Sequence, residues 1–408
     1  MKQRDVNKYL LIAAHGLAKM GNSLQDVVFI LLIVGLLKGN EFQMGLVITI
    51  QFIPYLFFGY LGGVVADRYN RKTNMLIADA IRFSLALALT YLVFFNLESV
   101  ALLACIAFLS TTCRCFYQPA QQAMLPELVK KADLTKYNSR FQVSENLGVI
   151  AGPLIAGVIV TVGEYWQAFL FDSMTYLVSL MLVFLINYYP LGKNGRISDS
   201  NEIRFNIFRY LNGRRKLFDT VYCSAASILA ISAIIRLVIP LYITVDMNRP
   251  PELVAWTLGL IAAGTLFGAY LFGKVETTLN TPTVYWLVYG LCISMLFVSN
   301  NLFWLLGWAF VLGVSGAFVD VALICSIQKN TEGKYMGKVF SYFSTLANTG
   351  EALSGLLIGA ILMLVSAKYA GVLLGFICAC IAFGFIIVRL LERKSHSTWP
   401  VERGKYMS

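Results

Sequence analysis

The sequence predicts an all-α membrane protein with twelve transmembrane helices arranged as two six-helix halves. Of its 408 residues, 58% are hydrophobic and 13% are charged, whereas soluble globular proteins carry about 25% charged residues. A spanning helix needs about 20 mostly apolar residues, so twelve helices leave room for short loops, one longer connector and two tails. This composition excludes a water-soluble enzyme, a disordered chain and a secreted disulfide-bonded scaffold.

Each predicted span is an apolar run bounded by polar or charged residues. In the first half the runs lie at 9–37, 42–66, 74–95, 99–123, 139–162 and 166–188. In the second half they lie at 217–243, 252–274, 282–299, 302–326, 338–364 and 367–391. The first run is too long for the apolar core of a cleavable signal peptide, and it contains His15 and Lys19. We therefore expect it to remain as the first span.

The basic residues divide the chain and orient it. Residues 1–190 form the N-terminal six-helix half, 191–216 a basic connector, 217–391 the C-terminal six-helix half and 392–408 a tail. An even number of spans places both termini on one side, and by our count that side carries 26 of the 33 Lys and Arg residues. Basic loops mark the cytoplasmic face of a bacterial-type inner membrane, so we expect both termini to be cytoplasmic. The net charge of +11 then faces anionic lipid headgroups, and no nucleic-acid partner is needed.

A charged loop joins spans 2 and 3 on the predicted cytoplasmic side. It begins at Gly63, and its charged residues are Asp67, Arg68, Arg71 and Lys72. Glycine permits close helix contact at the end of span 2. One acid among three bases can hold two elements together in one state and release them in another. The alternative is an ordinary basic loop that contains one acid.

This loop resembles the signature loop of the major facilitator superfamily, G-x-x-x-D-R-x-G-R-[RK]. The resemblance implies that family's twelve-helix transporter fold and a gating role for Asp67, Arg68 and Arg71. Asn70 stands where the family has its second glycine. Asparagine tolerates left-handed backbone angles, so the replacement is consistent with a left-handed residue at this position.

Span 5 contains a glycine- and proline-rich segment whose special residues are Gly148, Gly152, Pro153 and Gly157. Small residues four or five apart create a flat helix face for tight packing, and a proline bends the helix. The segment resembles the antiporter signature G-x-x-x-G-P-x-x-x-G, which implies export within the superfamily. Ordinary helix packing is the alternative interpretation.

Further segments are similar to one exporter branch, which includes macrolide-efflux proteins and enterobactin-type siderophore exporters. They are residues 116–129 and 134–138 around the loop between spans 4 and 5, 171–176 in span 6 and 337–341 at the start of span 11. Many members of that branch carry a span-4 arginine at the position that is Ser110 here. In this chain the arginine is Arg114, one turn deeper.

Polar side chains line one face of span 1. They are His15, Lys19, Asn22 and Asp26, spaced by four, three and four residues, with Gln25 at the border. A charged group at the centre of the membrane costs at least about 2.5–3.5 kcal/mol, so we expect this face to line a water-accessible cavity. A hydrogen-bond seam between helices is the alternative. We expect His15 to lie at the cytoplasmic interface and Lys19 to extend toward it.

Polar residues in other spans complete the candidate site. Desolvation favours the protonated form of a carboxyl group, which makes membrane-embedded acids candidates for proton coupling. These acids are Asp26, Glu351, Glu145 and Asp320. The candidates for the substrate cavity are Lys19, Asn22, Gln25, Arg114, Gln118, Arg236 and Asn348. We expect Asp79 and Arg82, three residues apart, to form a local structural pair, and we assign Asp172 a structural role as well.

Several catalytic classes are excluded by the absence of their residues. The chain has two histidines, too few for a zinc cluster of histidines. It contains neither a G-x-S-x-G elbow nor a G-x-x-x-x-G-K-[ST] phosphate loop. We therefore expect no enzyme activity, no catalytic residue, no metal and no cofactor. The energy for any transport must come from an ion gradient or from the gradient of the substrate itself.

These observations predict a monomeric secondary transporter in the lipid bilayer that exports a small molecule by proton-coupled alternating access. The substrate would be a drug or a secreted metabolite such as a siderophore. The alternatives are a proton-coupled uptake symporter and, from another class, a membrane receptor or scaffold that transports nothing. Arg114 and Arg236, in opposite halves, favour an anionic or zwitterionic substrate. The alternative is that neighbouring acids neutralise both arginines.

Overall fold

The fold is described from a computed structural model for residues 2–37, 40–129, 133–188, 207–272, 274, 283–332 and 335–397. Every regular element in these residues is a helix. Within them, eleven helices are long and apolar enough to cross a membrane, and a further apolar helix, Thr283–Leu296, is shorter. This confirms the predicted all-α membrane fold, with span 9 as the short member.

In the described residues of the first half, a proline divides the second predicted span into two helices. The helices are α1 Lys2–Leu36, α2 Glu41–Phe52, α3 Pro54–Arg68, α4 Arg71–Phe94, α5 Val100–Leu128, α6 Leu134–Val162 and α7 Tyr165–Leu185. The side chains of Asn40 and Ser99 cap α2 and α5 by accepting hydrogen bonds from backbone N–H groups of the first turn. Pro54 has no backbone N–H, and a new helix begins there.

The described residues of the second half begin with a short helix inside the predicted connector. The helices are α8 Ile207–Asn212, α9 Arg215–Ala233, α10 Ile239–Leu241, α11 Glu252–Phe272, α12 Thr283–Leu296, α13 Leu302–Asn330, α14 Met336–Leu362 and α15 Ala367–Ser397. π-helical turns at Ile234–Val238 and Tyr242–Asp246 flank α10 and join it to span 7. Pro240 of α10 cannot donate a backbone hydrogen bond, which explains the change of helical register here. Connector residues 191–206 and tail residues 398–408 lie outside the described residues.

α1 is the central helix of the first half and packs against α5, α6 and α7. Two glycines of α6 allow its close approach. A Cβ added at Gly148 would lie 2.9 Å from the backbone nitrogen of Met20, and one at Gly152 would lie 2.6 Å from the Cβ of Ser23. These spaces admit hydrogen but no methyl group. The small-residue face predicted for span 5 therefore packs on α1.

The most extensive contacts between the halves are those of α2 with α14 and of α6 with α11. The start of α1 and the end of α15 point toward the same membrane face, which we call the terminal side. α2 and α14 meet away from that side at Gly45, Gly355 and Gly359, a group we call the glycine seam. A Cβ on Gly355 would lie 2.6 Å from the carbonyl oxygen of Gly45. α6 and α11 also meet away from the terminal side, where Trp256 Nε1 donates to Thr161 Oγ1 at 3.3 Å. The halves are thus closed against each other opposite the termini.

Candidate transport site

Asp26 and Arg114 form an ion pair near the centre of the first half. Arg114 Nη1 donates to both carboxylate oxygens of Asp26, at 3.1 and 3.2 Å. Its Nη2 donates to Gln25 Oε1 at 2.9 Å, and Gln51 Nε2 donates to Asp26 Oδ1 at 3.1 Å. The Arg114 side chain is 5% exposed and that of Asp26 is 27% exposed. The carboxylate is therefore the accessible end of the pair.

A second, more deeply buried pair lies beside the first. Arg82 Nη1 is 3.5 Å from Asp79 Oδ1, and the two side chains are 1% and 0% exposed. Ser179 donates to the other oxygen of Asp79 at 2.8 Å. Arg82 also donates to Asn22 Oδ1, which accepts a further hydrogen bond from Tyr176 at 2.9 Å. The local pair of Asp79 and Arg82 is present, and Asn22 joins it to the polar face of α1.

His15 is buried, so its predicted interfacial position is wrong. Its Nδ1 lies 2.7 Å from Gln121 Oε1, and its Nε2 lies 3.4 Å from Glu145 Oε2. The ring stacks on Phe141 with a centroid separation of 3.7 Å. Lys19 Nζ lies 2.6 Å from the other oxygen of Glu145, so Lys19 pairs within the protein. Partners from α5 and α6 satisfy both groups, and the sequence of α1 alone does not reveal them.

A narrow cleft borders this network. Its lining includes His15, Lys19, Asn22, Arg82, Arg114 and Gln118. The lining side chains are basic or neutral, whereas the acids that pair with them are not part of the lining. Three of the four residues of the span-1 polar face, His15, Lys19 and Asn22, therefore border this cleft, while Asp26 is not part of its lining. The same face also forms the hydrogen-bond seam that was the alternative.

The second half contributes one charged pair at the interface between the halves. Arg236 lies in the first π-helical turn, and its Nη2 is 3.6 Å from Glu351 Oε2 on α14. Its guanidinium carbon is 3.4 Å from the centroid of the Phe52 ring on α2. A cation of the second half thus rests on an aromatic ring of the first. The Glu351 side chain is 29% exposed and that of Arg236 is 15% exposed, so the carboxylate is again the more accessible partner.

Two further candidates of the second half take no part in that pair. Asn348 is half-buried on α14, and Asp320 is exposed on α13. Tyr289 of α12 lies within electrostatic range of Asp320. Among the ion pairs between described residues, none includes Asp320. The structure therefore leaves Asp320 apart from the charged groups that meet at the interface.

The first turn of α4, which follows the loop after α3, connects several helix ends of the first half. Arg71 Nη1 donates to the carbonyl oxygen of Ala123 at 2.6 Å and lies 2.7 Å from Glu127 Oε1. Lys72 Nζ donates to the carbonyl oxygens of Phe184 and Ile186, each at 2.8 Å. These bonds satisfy carbonyl groups at the end of α7. Arg71 and Lys72, in the first turn of α4, thus join the start of this helix to the ends of α5 and α7 on the terminal side.

Three predictions about this loop have different outcomes. Arg68 is exposed, and the side chain of Asp67 lies outside the described residues. Asn70 has φ −67° and ψ 118°, which is an extended conformation. The predicted left-handed conformation at this position is therefore wrong. Its side chain instead accepts hydrogen bonds from the backbone of Lys72 and Thr73, which makes it the N-cap of α4.

The glycine that provides close contact in this region is Gly62, one residue before the predicted one. A Cβ on Gly62 would collide with the carbonyl oxygen of Cys115 on α5, whereas Gly63 has open space around it. In α6, Gly157 faces the second half, where an added Cβ would lie 3.3 Å from the Cβ of Ala255. Pro153 lies inside α6, which continues without a break. The glycines of the antiporter-like segment therefore pack on α1 and on α11.

Sequence reasoning missed Gln51 and Tyr176, both of which bond to residues of the α1 polar face. Gln51 is 4% exposed and sits next to Phe52, just before the helix break at Pro54. A buried amide in an apolar span immediately before a proline was the available signal. Tyr176 lies among apolar residues of span 6, and its hydroxyl group gave no comparable signal because aromatic residues are common in membrane helices.

Comparison with solved structures shows the same fold. A crystal structure of a mutant of the nucleoside transporter NupG superposes with a TM-score of 0.75 over 93% of this chain and 99% of that chain, at 11% sequence identity. A crystal structure of a mutant of the peptide transporter POT, in complex with sulfate, gives a TM-score of 0.73 over 94% of each chain, at 12% identity. These identities are too low to carry an argument beyond the fold.

Sequence relatives include transport proteins of similar length. Macrolide efflux protein A of Streptococcus pyogenes is 26% identical over 357 residues, which cover 84% of this chain and 86% of the relative. The staphyloferrin A transporter of Staphylococcus aureus is 21% identical over 374 residues, covering 88% and 91%. The Major Facilitator Superfamily model matches residues 11–293 and 221–405. The chain therefore belongs to the Major Facilitator Superfamily and is a multi-pass membrane transporter, not an enzyme.

Proposed function

We propose that the chain exports a small molecule by proton-coupled alternating access, with Asp26 as a proton carrier. The relatives support export, since one is named as an efflux protein. The observation that carries the proposal is the Asp26–Arg114 pair. It combines a buried fixed cation with a partly accessible carboxylate, beside a basic cleft. Such an arrangement can exchange a proton without exposing the cation to lipid.

Protonation of Asp26 would remove the negative charge to which Arg114 donates two hydrogen bonds. Arg114 stays charged at every physiological pH, so it would need another acceptor. Gln25 already accepts from its Nη2, and Gln25 alone would then hold the guanidinium. A substrate group that donates a hydrogen bond to the partly exposed carboxylate of ionised Asp26 would compete with the proton for that carboxylate. Proton and substrate would thus bind at Asp26 in alternation, which is what would couple their movement in opposite directions.

The basic loops support one orientation of the protein in the membrane. We infer from the positive-inside rule that the terminal side is cytoplasmic, in a bacterial-type inner membrane. The glycine seam closes the opposite face, so the described state would accept substrate from the cytoplasm. Asp67 with Arg68 would act as a gate on the cytoplasmic side, and the bonds of Arg71 and Lys72 to helix ends support a role of this loop in that gate. We propose that the functional unit is the monomer.

The substrate class is a drug or a secreted metabolite such as a siderophore. The staphyloferrin A transporter among the relatives supports the metabolite. Arg114 pairs with Asp26 and Arg236 with Glu351, which is the internal neutralisation that the sequence left open. A substrate anion would therefore have to displace a carboxylate, whereas a substrate that donates hydrogen bonds can bind the accessible carboxylate of Asp26 or Glu351 directly. Glu351 is the second candidate carrier, while Glu145 already has two basic partners, His15 and Lys19.

The proposal is tested with purified protein in liposomes that carry an imposed proton gradient. A panel of a macrolide, a carboxylate siderophore and a lipophilic cation is offered to wild type and to Asp26→Asn. We expect wild type to move at least one compound uphill against the proton flow. We expect Asp26→Asn to lose uphill transport while it still exchanges labelled for unlabelled compound. Accumulation in the direction of proton flow would establish uptake by symport, and the absence of any substrate-dependent proton flux in wild type would favour a receptor.

A further inference from the structure

Asp172 is a fully buried residue whose carboxyl group makes no hydrogen bond of normal geometry with the described residues. It is 0% exposed, and neither Oδ1 nor Oδ2 accepts a hydrogen bond from a donor in that part of the chain. The neighbouring Thr175 hydroxyl donates to the backbone oxygen of Asp172, at 2.7 Å, and not to its carboxyl group. On the facing helix, a Cβ at Gly21 would lie 2.6 Å from Oδ1. Glycine thus makes the space for this carboxyl group and offers it no side-chain donor.

Three other acids in the core of the first half have basic partners. Asp26 is paired with Arg114, Asp79 with Arg82, and Glu145 with Lys19 and His15. Three cations, two arginines and a lysine, therefore already balance three carboxylates. An additional ionised carboxylate at 0% exposure would be an unpaired charge in a membrane protein core, which proteins avoid by neutralising the group.

The charged groups that face Asp172 come from three helices. Arg82 of α4, Arg114 of α5 and Asp26 of α1 lie within electrostatic range of it. The Tyr176 hydroxyl, one turn away on its own helix, lies near the carboxyl group but donates its hydrogen bond to Asn22. The two arginines are the same ones that hold Asp79 and Asp26. If Asp172 lost a proton, the charge it gained would attract a guanidinium that now serves another carboxylate.

We propose that Asp172 carries a proton in the described state and is a second proton-exchanging acid of the transport cycle, acting with Asp26 through their shared neighbour Arg114. The inference rests on the proposed proton-coupled export. In the step concerned, the O–H bond at Asp172 breaks and an O–H bond at Asp26 forms. At the same time Arg114 exchanges its Asp26 partner for Asp172, so the charge of the site is unchanged. This differs from the structural role that sequence reasoning assigns to Asp172.

The Asp79–Arg82 pair supplies a matched control, because Asp79 is as buried as Asp172 and its removal together with Arg82 frees no cation. Infrared spectra of purified protein at neutral pH are recorded for wild type, Asp172→Asn and the double variant Asp79→Asn/Arg82→Gln. We expect the band of a buried protonated carboxyl group in wild type and in the double variant, and its loss in Asp172→Asn. The asparagine has the shape of a protonated aspartic acid, and Asp172→Ser is the second variant if the first does not fold. Unchanged band intensity in Asp172→Asn would overturn the proposal.

Transport in liposomes supplies the second readout, which a merely structural role would not move. We expect Asp172→Asn to bind and exchange substrate at the wild-type level but to lose uphill export driven by a proton gradient. Full uphill export by Asp172→Asn would overturn the exchange role, whatever the infrared result. If wild type itself shows no proton-driven export, the proposed function fails, and the infrared comparison still decides whether Asp172 holds a proton.

Discussion

The two halves share a six-helix plan but differ sharply in what they bury. Among the described residues, the buried charged side chains of the first half are Lys8, His15, Arg71, Asp79, Arg82, Arg114 and Asp172. In the described part of the second half the corresponding residue is Asp219. Arg236 and Glu351 lie at the interface and are partly exposed. The first half therefore holds a preformed polar network, while the described part of the second half presents a largely apolar wall and the Arg236–Glu351 pair to the interface.

This difference assigns different tasks to the halves. A well-connected polar network is rigid, and removal of one member leaves the others unsatisfied at high cost. The pair in the second half is held by one long contact of 3.6 Å and by the Phe52 ring of the other half. The contact between Arg236 and Phe52 crosses the interface and must change when the halves rock. We infer that proton exchange takes place in the first half. We also infer that the contact between Arg236 and Phe52 changes with the position of the second half.

The largest expected effect is a loss of stability, and its size should differ between a variant in the first half and a variant in the second half. Arg82→Gln leaves Asp79 buried without its cation, and loss of one member of a buried pair costs about 3–5 kcal/mol. Arg236→Gln removes a partly exposed partner and should cost no more than about 1 kcal/mol. Thermal unfolding in detergent measures both. The double variant Arg82→Gln/Asp79→Asn should recover part of the loss. Equal melting temperatures for Arg82→Gln and Arg236→Gln would contradict the comparison.

The next effect is on the contact between the halves. Gly45→Val places methyl groups against the backbone of Gly355, and overpacking of this kind costs about 1–3 kcal/mol. That cost falls only on the state in which the glycine seam is closed, so the variant should populate the state open on the opposite face. Gly35→Val is the control, because Gly35 has open space around it. Distance measurements across the seam detect the shift; identical distance distributions for Gly45→Val and wild type would show that the seam does not set this equilibrium.

The smallest effect concerns the cap of α4 at the terminal side of the first half. Asn70→Ala should lower stability by about 1 kcal/mol, whereas Asn70→Gly should lower it by only a few tenths. The reason is the loss of the side-chain bonds to Lys72 and Thr73. If Asn70 instead served by adopting left-handed angles, glycine would stabilise the protein. A higher melting temperature for Asn70→Gly than for wild type would therefore refute the capping role.

The fold could be predicted from the sequence because hydrophobic runs of the required length are a direct consequence of the bilayer. The polar face of α1 could be predicted for a similar reason, since charges in an apolar helix must face a partner or a cleft. The partners themselves could not. His15 meets Gln121 and Glu145 from two other helices, and spacing within α1 contains no information about them. The sequence assigned Asp172 a structural role for the same reason. Its distinguishing feature is that no donor of a described residue on a neighbouring helix bonds to its carboxyl group, and that feature depends on the packing of the helices.

The central claim, that proton exchange in the first half drives the rocking of the halves, is tested most directly by one distance. Spin labels at Phe42 and Leu364, both exposed, report the separation across the glycine seam in a background without the eight native cysteines. The distance distribution is measured at alkaline and acidic pH for wild type, Asp26→Asn and Glu351→Gln. We predict a pH-dependent change in wild type and Glu351→Gln that is absent in Asp26→Asn. A pH response in Asp26→Asn equal to that of wild type would contradict the claim.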